Sequence, residues 1–118
     1  MPSEEPRQVD VEFTPEFKRN IRRLARKYRR IRSDLTPVIR QIEKGETPGD
    51  QIQLTGYTIF KVRVRNSDAQ RGKRGGYRML YYLKRSERVI LVTIYSKTEQ
   101  GDITAKEVGQ IIQAHEAE

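Results

Sequence analysis

Along residues 57–65 of this chain the side chains alternate in character: Phe60, Val62 and Val64 are apolar, while Lys61, Arg63 and Arg65 between them are cationic. An extended strand sorts these two sets onto opposite faces, because successive side chains point to opposite sides of a sheet. A helix would scatter them around its circumference. The segment therefore demands a sheet with an apolar face for the core and three cations in a row, about 7 Å apart by strand rise, on the other. Residues 76–84 and 89–97 follow, rich in Tyr, Leu, Val and Ile, with only residues 85–88 between them. Links this short join antiparallel neighbours, so the three segments read as a meander. Residues 66–75 (NSDAQRGKRG) form a basic turn whose glycines, with Gly76, read as hinges. They make no phosphate-cradling loop, since the pattern GxxxxGK[ST] is absent.

Upstream the period changes from two to three or four. Residues 9–13 (VDVEF) alternate as a short half-buried strand, and Thr14-Pro15-Glu16 then supplies a cap, a first-turn proline and a first-turn acid. Phe17, Ile21, Leu24, Ala25, Tyr28 and Ile31 make one apolar stripe on an otherwise basic helix. Ser33-Asp34 reads as a second helix start, with Pro37 in its early turns and Leu35, Val38, Ile39 and Ile42 as its stripe. The tight link between the two predicts an antiparallel helical hairpin. Residues 45–53 read as a loop around Pro48-Gly49-Asp50. At the end of the chain, Thr104 and Glu107 match a capping box, with Ile103 and Val108 as a hydrophobic staple. This last helix has only Val108, Ile111 and Ile112 as strong apolar anchors, so it is expected to be the least stable element. The predicted class is α+β: an N-terminal strand, an antiparallel helical hairpin, a three-stranded antiparallel meander and a C-terminal helix, in one domain of 118 residues with residues 1–8 as a flexible extension. Hydrophobic residues, at 35%, suffice for one sheet covered on one side.

The composition narrows the chemistry. There is no cysteine and one histidine, His115, which reads as a bystander; thiolate nucleophiles, cysteine-zinc sites and histidine bases are thereby set aside. No metal or cofactor is expected. No apolar stretch approaches the roughly 18 residues that cross a bilayer, and the polar N-terminus does not resemble a signal peptide, so a cytoplasmic location without membrane contact is expected. The net charge of +8 is segregated: nine basic residues against one acid between Glu16 and Arg32, and seven against one between Lys61 and Arg78. Clustering of this kind favours a polyanion partner, nucleic acid first.

If the strands pair as read, Arg78 lies within reach of Lys61, Arg63 and Arg65, and Tyr95 and Lys97 close the last strand on the same side. An alternating basic strand is often no more than a solvated face. Three like charges in one row, however, repel unless an anion joins them. Arginine forks match two phosphate oxygens, a lysine crowded by arginines can serve as base or acid, and tyrosines can stack bases or relay protons. Glu99 is the nearest carboxylate and a candidate base. Cleavage of RNA at such a site needs no metal, because the 2′-hydroxyl is itself the nucleophile. Lys61, Arg63, Arg78, Lys97, Glu99 and Tyr95 are therefore the candidate catalytic residues. Arg65, Lys73, Arg74, Tyr82 and the helix residues Arg23, Arg26 and Arg30 are candidates for RNA binding. Tyr28, Tyr77 and Tyr81 read as core or rim.

The runs Phe60-Lys61-Val62-Arg63-Val64, Gly75-Gly76-Tyr77-Arg78-Met79-Leu80-Tyr81-Tyr82 and Ile94-Tyr95-Ser96-Lys97 resemble the strand motifs of the RelE/ParE toxin superfamily, over roughly residues 9–115. The segment from Arg71 to Arg78 and the YSKTEQGDIT ending look most like its RelE-like and HigB-like branch. The resemblance implies a toxin of a type II toxin–antitoxin pair. The activity it implies is ribosome-dependent cleavage of mRNA in the A site, with contacts to rRNA and inhibition by a cognate antitoxin. It also implies that Lys61, Arg63 and Arg78 surround the scissile phosphate. Two departures stand out: Lys97-Thr98-Glu99 replaces an arginine-containing ending, and no tyrosine follows Tyr95 to serve from the C-terminal helix. Acid and base duties would then fall to Lys97, Glu99 or Tyr95. The alternatives are a ParE-like inhibitor of DNA gyrase and a non-catalytic nucleic-acid-binding relative.

Overall fold

The computed structural model describes residues 8–54, 56–69 and 76–117. The order of elements is β1 (Asp10–Phe13), α1 (Pro15–Lys27), α2 (Ile31–Glu43), β2 (Asp50–Ile52), β3 (Ile59–Val64), β4 (Tyr77–Arg85), β5 (Arg88–Ser96) and α3 (Ala105–Glu116). The strands form one sheet in the order β1-β5-β4-β3-β2. β1 runs parallel to β5, and the remaining pairs are antiparallel. The class is mixed α+β, with three helices among the described residues. The flexible extension expected for residues 1–8 lies, Gln8 apart, outside the described residues.

α1 begins where its cap signal stands. The Thr14 hydroxyl accepts from the Phe17 amide at 3.0 Å and donates to the Val92 carbonyl at 2.7 Å, so one side chain both caps the helix and ties it to β5. Phe17, Ile21 and Leu24 bury the apolar stripe. α2 departs from expectation. It starts at Ile31 rather than at Ser33-Asp34, and the Asp34 carboxylate instead accepts from the amide and hydroxyl of Ser67. The orphan amide of Arg30 is capped from another loop, by the Asp68 carboxylate at 2.8 Å. Pro37 consequently sits inside the helix.

β2 is a second departure, lying in the segment read as a loop. Its three residues pair with β3 at the sheet edge, Asp50 opposite Lys61. The backbone there is threaded closely: Gly49 has φ of +96°, and a Cβ at that position would collide with the Lys61 carbonyl. The Tyr81 hydroxyl donates to the Pro48 carbonyl beside it. The turn residues that suggest a loop are the ones that allow this approach.

The sheet is covered on both faces, not one. Val62, Val64, Tyr77, Met79, Tyr81, Leu91 and Ile94 face α1 and α2 in one cluster. Ile59, Leu80, Val92 and Tyr95 face the other way and receive Val108 and Ile112 of α3. β5 carries a bulge. Leu80 opposes Thr93 whereas Tyr81 opposes Leu91, so Val92 is the extra residue and the face inverts across it. Leu91 and Ile94, an odd number of positions apart, therefore both reach the α1–α2 side.

Candidate nucleic-acid interface

Alternation decides which cations share a surface. Arg63 lies between Val62 and Val64, and Arg78 between Tyr77 and Met79, all four of which face α1 and α2. Both arginines therefore lie on the opposite face of the sheet. The register places Arg63 opposite Arg78, and Arg78 opposite Tyr95, which makes one row across three strands. Lys61 stands two residues from Arg63 on the same face of β3.

The row is closed by Asp102, a residue that no sequence pattern singles out. One of its carboxylate oxygens, Oδ1, accepts from Lys61 Nζ at 2.9 Å, from Lys97 Nζ at 3.0 Å and from the Tyr95 hydroxyl at 3.1 Å. These donors, the Lys61 ammonium first, hold the Asp102 carboxyl well below the usual carboxylate range. Tyr95 is only 2% exposed, and burial, followed by its bond to Asp102, pushes its phenol up, so it stays protonated. The one signal for Asp102 in the sequence is its position, as the only acid besides Glu99 between Lys97 and the Thr104 cap.

The individual side chains are held differently. Arg78 is 5% exposed, and its Nη1 donates to its neighbour's carbonyl, that of Tyr77, at 3.2 Å. Arg63 is exposed and forms no ion pair with the described residues. Lys61 and Lys97 are partly shielded, their side chains 28% and 36% exposed. The arrangement is a buried guanidinium, an exposed one and two ammonium groups meeting at a point.

Other candidates lie elsewhere. Glu99 does not join the row: it turns to α1, where its carboxylate meets Lys27 at 3.1 Å and Arg23 at 3.6 Å, with the Tyr28 hydroxyl at 3.5 Å. The turn after β5 thus sends Glu99 to one face of the sheet and Asp102 to the other. Tyr82 packs edge-on against Tyr57, centroids 5.2 Å apart, among the residues that seat α3, four residues along β4 from Arg78. Tyr95 is too buried to stack a base and offers its hydroxyl alone. Arg65 is exposed just past the end of β3. Arg23, Arg26 and Arg30 lie on the helical side, separated from the row by the sheet. Lys73 and Arg74 lie outside the described residues.

The convergent groups are cations and a protonated phenol, a donor set for an anion. Among the described residues no group of three or more His, Asp or Glu side chains is placed to hold a metal ion. Guanidinium and ammonium groups are the donors that hold phosphodiester oxygens and the extra charge of a five-coordinate transition state. Residues 17–117 match the family model described as the RelE toxin of the RelE/RelB toxin–antitoxin system.

Proposed function

The chain belongs to the RelE toxin family, and from that premise we propose that it is a ribosome-dependent endoribonuclease that cleaves mRNA in the A site by attack of a 2′-hydroxyl, without metal. The observation that carries this reading is the Arg63–Arg78–Tyr95 row with Lys61 and Lys97 beside it. Arg63 and Arg78 would grip the non-bridging oxygens, and Lys61 and Lys97 would neutralise the charge that develops as the 2′-oxygen bonds to phosphorus. As the 2′-oxygen bonds to phosphorus its proton passes to solvent water, and cleavage of the bond to the 5′-oxygen leaves a 2′,3′-cyclic phosphate and a 5′-hydroxyl. The phenol of Tyr95, kept protonated by its surroundings, is suited to give the leaving oxygen its proton. The basic outer face of α1, with Arg19, Arg22, Arg23 and Arg26, would steer the protein onto ribosomal RNA without touching the reacting groups.

A toxin of this family has an antitoxin partner, and a cationic row is a surface that an acidic segment of such a partner would neutralise. The test is cleavage of mRNA on purified ribosomes, in buffer with the divalent ions that ribosomes need, with the cyclic phosphate end identified on the product. Arg78→Ala is expected to lose this activity; cleavage at the parent's rate by that variant would overturn the site. Inhibition of DNA supercoiling without RNA cleavage would instead favour a gyrase-binding relative. Salt-dependent RNA binding with no cleavage would favour a non-catalytic one.

A further inference from the structure

Asp102 reaches the row with a single oxygen, and that oxygen receives three donors, the ammonium groups of Lys61 and Lys97 and the hydroxyl of Tyr95. Charged donors converging on one anionic oxygen are the surroundings that a phosphate oxygen takes in a protein site. Lys61 comes from β3 and Lys97 from just past β5, with β4 between them. Their ammonium groups nevertheless end on the same oxygen of Asp102, at 2.9 and 3.0 Å. We propose that Asp102 is a resident anion in the phosphate site, an intramolecular occupant that holds Lys61 and Lys97 in place and that a phosphodiester of the incoming RNA must displace. This inference rests on the phosphate reading of the row.

The surroundings of Asp102 suit a group that leaves. Its side chain is 57% exposed, and it follows Gly101, around which there is open space. Ile103, next in the chain, packs against the α3 cluster, and Thr104 caps α3, its oxygen accepting from the Glu107 amide at 3.2 Å. Departure of the carboxylate therefore needs rotation of one side chain, with α3 still seated on Val108 and Ile112. Because Lys61, Lys97 and Tyr95 keep its proton affinity low, the carboxylate remains charged near neutrality. Its exchange is then governed by competing phosphate and not by protons.

The test is the affinity of the full chain for a 2′-O-methylated oligoribonucleotide, which binds but cannot be cleaved, followed by fluorescence anisotropy at fixed salt. Asp102→Asn is expected to bind about three- to tenfold more tightly than the parent, the scale of one partly exposed ionic contact. Glu99→Gln removes the same charge from the same turn but from the α1 side, and is expected to change affinity much less. Weaker binding by Asp102→Asn would mean that the carboxylate positions the lysines for RNA and does not compete with it, overturning the proposal. Equal tightening by both variants would reduce the effect to net charge and overturn it as well. A Lys61→Ala/Lys97→Ala double variant that is folded by thermal melting and binds as well as the parent would reject the phosphate site itself, a result separable from either outcome at Asp102.

Discussion

Arg63 and Arg78 stand directly opposite one another across β3 and β4, two like charges on one face of the sheet. Directly opposed like charges weaken a strand pair by roughly 0.2–1 kcal/mol, a cost with no return in a purely structural sheet. Arg63→Thr removes the juxtaposition and places a good strand former at an exposed position. The expected outcome is a variant more stable by about 0.2–1 kcal/mol in thermal or urea unfolding that cleaves ribosome-bound mRNA poorly. Lower stability together with full cleavage would show that the pair serves the fold and not an anion.

Tyr95→Phe separates the hydroxyl of this residue from its ring. The ring fills the cluster under α3 beside Leu80, Val92, Val108 and Ile112, and phenylalanine keeps that packing. Loss of the bond to Asp102 should cost about 0.5–1.5 kcal/mol of stability. Loss of a proton donor to the leaving oxygen should slow cleavage by about 10²–10⁴-fold. Single-turnover cleavage on ribosomes, measured beside the melting temperature, distinguishes the two effects. A rate within a few-fold of the parent would remove Tyr95 from the chemistry.

Alkaline pH should unfold the protein through its buried phenols. Burial pushes the phenols of Tyr77 and Tyr81 well above their ordinary value, and in Tyr77 the nearby carboxylates of Asp34 and Asp68 add to the shift. A group whose proton affinity is higher in the folded chain than in the unfolded one lends stability that is complete below the unfolded value, near pH 10, and is lost as the pH rises beyond it. Stability should therefore decline from about pH 10 upward, and tyrosinate absorbance should rise together with the loss of ellipticity. Tyrosinate appearing at full amplitude while the fold persists would contradict the burial of these rings.

The elements with a strict period are legible from residues alone. β3 can be read because Val62 and Val64 alternate with Lys61 and Arg63, and α1 because Thr14 and Pro15 precede a stripe of apolar residues at helical spacing. Period does not carry everything. β2 has three residues, too few to alternate, and follows a Pro-Gly pair that signals a turn whether or not a strand comes next. The start of α2 is hidden because Asp34, a good cap by type, is used by Ser67, and the true cap, Asp68, is far away in the chain. The same limit separates Glu99 from Asp102. Both acids sit in one turn after Lys97, and nothing in residue type or spacing tells which carboxylate reaches α1 and which reaches the row. The second covered face is hidden too, because the bulge at Val92 inverts the alternation of β5 midway.

Gly76 precedes β4, is buried, and lies so close to β3 that an added Cβ would collide with the Val64 carbonyl. Its own carbonyl accepts from the Lys97 amide at 3.0 Å. One residue thus sets both the approach of β3 to β4, on which the Arg63–Arg78 pairing depends, and the position of Lys97. Gly76→Ala must push β3 away or twist the start of β4, at a cost of about 1–3 kcal/mol in stability. Because the displaced atoms adjoin the row, cleavage should fall further than the unfolded fraction accounts for, measured at a temperature where the variant is fully folded. Gly101, by contrast, has open space around it, so Gly101→Ala is the companion variant and should melt as the parent does. If Gly76→Ala also matched the parent in both melting and cleavage, the close contact between β3 and β4 at this end of the sheet would be absent, and the register that aligns Arg63 with Arg78 would need another cause.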